Sequence, residues 1–301
     1  QTLLMKKKKI KKVYISTGGI KKVKILDLIK LFTREKIYDL ELSGGEKISK
    51  NDYKKLINLS KIDGFNLRPH NYFPPPKKKF VINLASKDRK IVSMSLKQIK
   101  KSILLTKQMK AKYFSFHAGF RIDPKPNNLG KKLKYFQLLD RDIALKIFKK
   151  NILIIHKYAK KNEIKIFIEN NVITKKNLEL FKDNPLLLTN PKEIITFFKS
   201  IPKDIGLLLD VGHLKVSSKS EKFNLENAIR KLNRFTKGYH LSDNNSYEDQ
   251  NKPFEKNVWF YKYLKKNLDY YTIEAYTKNI SLLFKLKNDL EKHINQINDK
   301  I

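Results

Sequence analysis

Five short apolar runs in this chain each end in a residue type that can ligate a metal. They are Phe114-Ser115-Phe116-His117, Ile166-Phe167-Ile168-Glu169, Leu207-Leu208-Leu209-Asp210, Gly238-Tyr239-His240 and Tyr271-Thr272-Ile273-Glu274. Runs of this length and composition read as buried strands, and such strands ordinarily stop at turn residues. When several parallel strands instead end in His, Asp or Glu, those side chains converge at one end of the sheet they form.

The same strand-like pattern occurs eight times, at residues 13–17, 38–43, 64–69, 113–117, 165–170, 206–211, 238–242 and 270–275. Helical patterns alternate with it at 23–35, 52–59, 96–110, 141–161, 191–200, 224–232, 257–267 and 280–297. Over 96–110 the apolar residues Leu96, Ile99, Ile103, Leu104 and Met109 follow a helical period. Asn190 before Pro191 has the form of an N-cap followed by proline at the first helical position. Eight such alternations predict an α/β fold, a single (β/α)8 TIM barrel, with an open doubly wound sheet as the alternative. A barrel of this kind takes about 250 residues. The 301 residues therefore accommodate one, with an insertion after the third strand over about 71–95 and a second irregular stretch at 121–130. Both would lie at the strands' C-terminal ends, where loops set specificity. The domain is expected to span 13–301 behind a basic lead-in at 1–12.

Composition narrows the chemistry. The chain has no cysteine, which excludes disulfides, thiolate metal sites and cysteine nucleophiles. No apolar run reaches the roughly 18–20 residues of a membrane helix. Near the start a very short apolar piece precedes lysines, the reverse of a signal peptide, so the protein is expected in the cytoplasm. Net charge is +37, yet 59 lysines stand against seven arginines. Arginine is the favoured residue for bidentate phosphate contacts. Lysine spread along the whole chain fits solvated helix faces, and a polyanion-binding surface is the alternative.

Glu169, Asp210, His240 and Glu274 are separated by 41, 30 and 34 residues, each close to one strand–helix unit. Each would come from the next strand of the barrel. Three carboxylates and one imidazole suit Mn²⁺, Co²⁺, Mg²⁺ or Zn²⁺ and not copper or an iron–sulfur cluster.

The segments Ile168-Glu169-Asn170-Asn171, Leu209-Asp210-Val211-Gly212-His213, His240-Leu241-Ser242-Asp243-Asn244 and Ile273-Glu274-Ala275-Tyr276 resemble the sugar phosphate isomerase/epimerase group of the xylose isomerase-like barrel superfamily. Ile15-Ser16-Thr17-Gly18-Gly19 and Glu41-Leu42-Ser43-Gly44-Gly45 fit its first two strands, so the resemblance covers nearly the whole chain. It implies that Glu169, Asp210, His240 and Glu274 ligate a divalent metal ion. It further implies that Glu169 and Glu274 are the acid/base pair and that His213 contacts a substrate oxygen. The implied partner is a small-molecule sugar or sugar phosphate, and assembly into a homo-oligomer stays open. His70 and His117, which follow apolar strands, are expected to line the substrate pocket or bind a second metal. Arg68 and Arg121 are expected to hold a phosphate or carboxylate of the substrate. Trp259 and Tyr261 are expected to be packing residues.

The same superfamily contains the AP endonucleases of DNA repair, and this is the alternative function. Arg68-Pro69-His70-Asn71-Tyr72, Val81-Ile82-Asn83-Leu84-Ala85 and Phe116-His117-Ala118-Gly119 resemble motifs of that family, with His70 and His117 at zinc-ligand positions. Its Asp-x-His pair is matched by Asp249-Gln250-Asn251, where asparagine stands in place of the imidazole. Asparagine is not a strong zinc ligand. The Gly-containing segment that follows in that family is here Phe254-Glu255-Lys256-Asn257.

Overall fold

The computed structural model describes residues 11–20, 22–44, 48–128, 133 and 136–296. The lead-in up to residue 10, Gly45, Gly130 and the expected helix end at 297 lie outside these. Among the described residues, eight parallel strands form the sheet: β1 (Tyr14–Ser16), β2 (Asp39–Leu42), β3 (Asn66–Pro69), β4 (Tyr113–His117), β5 (Lys165–Glu169), β6 (Gly206–Asp210), β7 (Thr236–Leu241) and β8 (Tyr271–Ile273). Their order is β3-β2-β1-β8-β7-β6-β5-β4. The seam between β3 and β4 is bridged at His70 and Ser115, with Asn71 N–H donating to the Ser115 carbonyl at 2.8 Å. The sheet is thus a nearly closed (β/α)8 barrel, not an open sheet.

Helices α1 (Ile25–Arg34), α2 (Lys50–Leu59), α3 (Arg89–Gln108), α4 (Arg141–Lys161), α5 (Lys175–Phe181), α6 (Pro191–Lys199), α7 (Val211–Ser220), α8 (Leu225–Leu232) and α9 (Ile280–Asn295) lie between or after the strands. Asn190 caps α6 as expected, accepting from Glu193 N–H at 3.0 Å. α3 begins seven residues before the expected 96, because Asp88 caps it by accepting from Lys90 N–H. The irregular part of the insertion therefore ends at Asp88. Asn83 holds it down: its amide donates to the Phe120 and Ile122 carbonyls and to Asp123, and its oxygen accepts from Ala85 and Phe120 N–H. The helix expected at 257–267 is absent; only a 3₁₀ turn, Tyr261–Tyr263, forms there. Aromatic side chains are weak helix formers. Phe260 instead lies in edge contact with Phe254 at 5.1 Å and Trp259 at 5.4 Å, while Tyr261 stacks on His293. Both Trp259 and Tyr261 thus pack.

The twofold alternation of strand side chains sorts the sheet into two faces. Ile15, Leu40, Leu67, Phe114, Phe116, Ile166, Ile168, Leu207, Leu209, Tyr239, Leu241, Tyr271 and Ile273 belong to the main core against the helices. The intervening residues point into the barrel, where Phe167, Leu208 and Tyr270 form a separate small cluster. Gly206 and Gly238 make room for it. A Cβ at Gly206 would come within 2.5 Å of Phe167, and one at Gly238 within 2.8 Å of Tyr270. One step further along the same inward register stand Glu169, Asp210, His240 and Thr272.

Candidate metal centre

Glu169 ends β5, Asp210 ends β6, His240 is the penultimate residue of β7 and Glu274 follows β8. Ligand-capable atoms of these four residues lie within 4.8 Å of one another. Glu169, Asp210 and His240 are fully buried, and the Glu274 side chain is 12% exposed. His240 Nδ1 lies 2.9 Å from Glu274 Oε2 and 3.3 Å from Glu169 Oε1. Asp210 has a second task. It caps α7 by accepting from His213 N–H at 2.7 Å, and its own N–H donates to Asn170 Oδ1. The cap turns one Asp210 oxygen to the backbone and leaves the other facing the site.

Four histidines surround Glu169: His240, His70 at 3.4 Å, His213 at 3.6 Å and His117 at 3.7 Å. His213 is held by the Asn170 carbonyl at 2.9 Å and lies 3.4 Å from Asp249 Oδ2. Burial would raise the Glu169 carboxyl, but His117, His240 and His70, all protonated in the acid range where it would titrate, hold it well below the ordinary range. Asp210 goes the other way. Burial, helped by Glu169 and Asp249 against the opposing His213, pushes it up to about 7. Burial also pushes His70 down, and His117 down to about 4, so both are neutral near pH 7. For His213 and His240 burial is outweighed by the surrounding carboxylates, which raise both well above the usual imidazole value.

These residues fit a divalent cation. Among the described residues, both Glu169 oxygens, Asp210 Oδ2 and His240 Nδ1 are buried without a hydrogen-bond partner, and Glu169, Asp210, His240 and Glu274 each offer a ligand atom within 4.8 Å of the others. Unpaired buried acceptors are costly, and a cation shared between them satisfies all at once. Two further groups among the described residues also bring ligand-capable atoms within 4.8 Å: His70, His117 and Glu169, and Glu41, His70 and His240. A wide groove of about 820 Å³ lies on the outer wall between α3 and α4, and none of these residues lines it.

Two of the residues expected to bind substrate do not face the site. Arg68 lies inside the barrel with its guanidinium committed to Glu41, the Tyr271 carbonyl and Thr272, between the rings of Tyr14 and Tyr270. Arg121 is spent on Leu139 and Asn184 carbonyls and Asp183, tying two loops together. Neither guanidinium is free for a phosphate. Conversely, Glu41 and Asp249 lie against His240 and His213, although in the sequence Glu41 had only a place in the second-strand match and Asp249 only a place in the incomplete Asp-x-His pair. An acid in the middle of the apolar strand Asp39–Leu42 was the available signal for Glu41. Asn251 accepts from Ser242 Oγ at 3.0 Å, so its side-chain oxygen serves the loop.

A barrel with four such groups at successive strand ends defines a class, and the comparisons agree. The family model described as "Xylose isomerase-like TIM barrel" matches residues 27–277, and the chain belongs to that family. Similar solved structures include a D-tagatose 3-epimerase-like protein (19% identity, TM-score 0.71, covering 96% of this chain and 99% of that one). They also include 3-keto-D-glucoside 4-epimerase from E. coli (11%, 0.64, 94% and 98%) and D-psicose 3-epimerase with D-tagatose from Clostridium cellulolyticum H10 (13%, 0.61, 94% and 95%). A comparison with curated proteins found no match.

Proposed function

We propose that the protein is a divalent-metal-dependent isomerase or epimerase that moves a proton on the carbon next to the carbonyl of a sugar or sugar phosphate. The observation that carries this reading is the convergence of Glu169, Asp210, His240 and Glu274 within 4.8 Å, with both Glu169 oxygens, Asp210 Oδ2 and His240 Nδ1 buried and without a hydrogen-bond partner. The sugar epimerases among the similar structures support the substrate class. Three carboxylates with one imidazole favour Mn²⁺, Co²⁺, Mg²⁺ or Zn²⁺.

When bound, the cation supplies Lewis-acid stabilisation of the negative charge that develops on the carbonyl oxygen as the proton leaves. The chain's own groups do the rest. Glu169 and Glu274 both reach His240 Nδ1 and so flank the same space, as a pair that removes and returns one proton must. Glu169 is held ionised. Neutral His70 and His117 line the Glu169 side and can exchange hydrogen bonds with sugar hydroxyls, while cationic His213 can donate to a substrate oxygen. With Arg68 and Arg121 committed elsewhere, no described arginine of the site argues for a phosphate on the sugar.

The group His70, His117 and Glu169 also favours a second reading, a zinc phosphodiesterase acting on abasic DNA. Asn251, in place of an imidazole, speaks against it. One experiment decides: metal-replete protein is incubated with a panel of ketoses in D₂O and, separately, with an abasic duplex. Deuterium is expected on the carbon next to the carbonyl, and Glu169→Gln is expected to slow exchange by about 10²–10⁴-fold. Incision of the duplex with no exchange into any ketose would overturn the proposal.

A further inference from the structure

Beneath the four candidate ligands the barrel holds a fully buried polar layer that the proton-transfer chemistry does not use. At its centre is Glu41, 0% exposed, on β2. Its Oε1 lies 2.9 Å from His240 Nε2, on the opposite side of the ring from the candidate metal position. Its Oε2 receives three donors: Arg68 Nε at 3.1 Å, Thr272 Oγ1 at 2.8 Å and Tyr270 O–H at 2.5 Å. Arg68 itself is clamped between the rings of Tyr14 and Tyr270, at 3.7 and 3.4 Å. The carboxylate is therefore fixed in position by a cation, two hydroxyls and the barrel wall.

The proton positions follow from this arrangement. In the metal-free chain both ring nitrogens of His240 lie 2.9 Å from a carboxylate oxygen, Nε2 from Glu41 and Nδ1 from Glu274, and a bare nitrogen at either place would oppose lone pair to lone pair. Only Nδ1 faces the other candidate ligands Glu169 and Glu274, so it is the nitrogen that gives up its hydrogen to ligate, and Nε2 keeps its hydrogen toward Glu41. The order runs on in the other direction. Tyr270 gives its hydrogen to Glu41, so at its 2.5 Å contact with Ser115 it accepts and Ser115 donates. Ser115 Oγ, having given its hydrogen, accepts from His70 Nδ1 at 2.8 Å. His70 Nε2 is then bare and points toward Glu169.

We propose that Glu41 is a positioning residue that fixes two histidines of the site in opposite tautomers, His240 as Nε2–H and His70 as Nδ1–H. A carboxylate behind a metal-ligating histidine sets which nitrogen binds and how basic it is. This carboxylate acts on His240 directly and on His70 through Tyr270 and Ser115. The inference rests on the metal-binding reading given above.

The chain has six histidines, so ¹⁵N-histidine spectra of the zinc-loaded protein are simple to assign. The expected spectrum has the hydrogen of His240 on Nε2 and that of His70 on Nδ1. Glu41→Gln makes a sharper case. Three donors at Oε2 would claim the amide oxygen, turn the NH₂ toward His240 Nε2 and force the ring hydrogen onto Nδ1. Zinc affinity is then expected to fall about 10–100-fold. Tyr270→Phe keeps the carboxylate and breaks only the chain to His70. It should free the His70 tautomer, leave His240 as Nε2–H and hold zinc affinity within a few-fold. Wild-type protein with His240 protonated on Nδ1 in the zinc form would overturn the proposal even if Glu41→Gln does not fold. Unchanged zinc affinity in folded Glu41→Gln would overturn it as well. Wild-type protein that binds no zinc at the four residues would instead defeat the metal-binding reading on which it stands.

Discussion

Acidification should weaken cation binding by an amount the site itself sets. Asp210 must be ionised to ligate, yet in the metal-free chain its carboxyl is pushed up to about 7, first by burial and then by the charges of Glu169 and Asp249 against His213. His240 must give up its Nδ1 proton, and the carboxylates around it raise its value well above 6.5. Binding therefore releases protons. For Asp210 alone, lowering the pH from 8 to 6 takes the ionised fraction from about nine-tenths to about one-tenth, which weakens the apparent affinity about tenfold. His240 adds up to another tenfold per pH unit below its own value. The sign for stability is the reverse in the metal-free protein. Because the folded value of Asp210 is raised above its ordinary 3.8, its contribution is fully present below about pH 4 and is lost as the pH rises through about 7. Saturating cation removes that loss. Titration calorimetry with Mn²⁺ at pH 6, 7 and 8, in two buffers of different ionisation enthalpy, measures affinity and proton release together. We expect between one and two protons released at pH 7. An affinity that does not change between pH 6 and 8, with no proton release, would refute the assignment of Asp210 and His240 as ligands.

Two further substitutions separate the scaffold from the site. Gly238→Ala would set a Cβ within 2.8 Å of the Tyr270 Cβ, so it is expected to cost about 1–3 kcal/mol in a urea titration; unchanged stability would mean that Tyr270 is loosely held. Arg121→Ala removes donors from the Leu139 and Asn184 carbonyls and should lower stability by about 1–3 kcal/mol. It should leave KM for phosphorylated and unphosphorylated sugars in the same ratio, and a selective rise for the phosphorylated one would restore Arg121 to the substrate.

The strand ends were legible because the sheet is buried on both faces. An acid or imidazole at the end of a buried run such as Leu207-Leu208-Leu209-Asp210 needs a polar task, as ligand, catalytic group or helix cap, and its recurrence at successive strand ends points to the first two. α7 was not legible. Its Val-Gly-His start and serine-rich end form a weak helix on propensity, and what starts it is the cap from Asp210, a residue already read as a ligand. The false helix at 257–267 failed for the opposite reason: its spacing suits a helix, but its aromatic rings find better partners in Phe254 and His293. Arg68 and Arg121 show how far a charge can mislead. Their partners, Glu41 and Asp183, stand 27 and 62 residues away, and only the closed barrel and its loops bring each pair together. Glu41 itself ends no run and entered only as the start of the second-strand match, so its place behind His240 emerges only from the fold.

The central claim is that one divalent cation sits among Glu169, Asp210, His240 and Glu274. Anomalous diffraction from a crystal soaked in Mn²⁺ tests it most directly. We expect one strong peak in bonding contact with carboxylate oxygens of Glu169, Asp210 and Glu274 and with His240 Nδ1. A crystal saturated with Mn²⁺ that shows no peak among these four residues, or a peak only elsewhere, would contradict it.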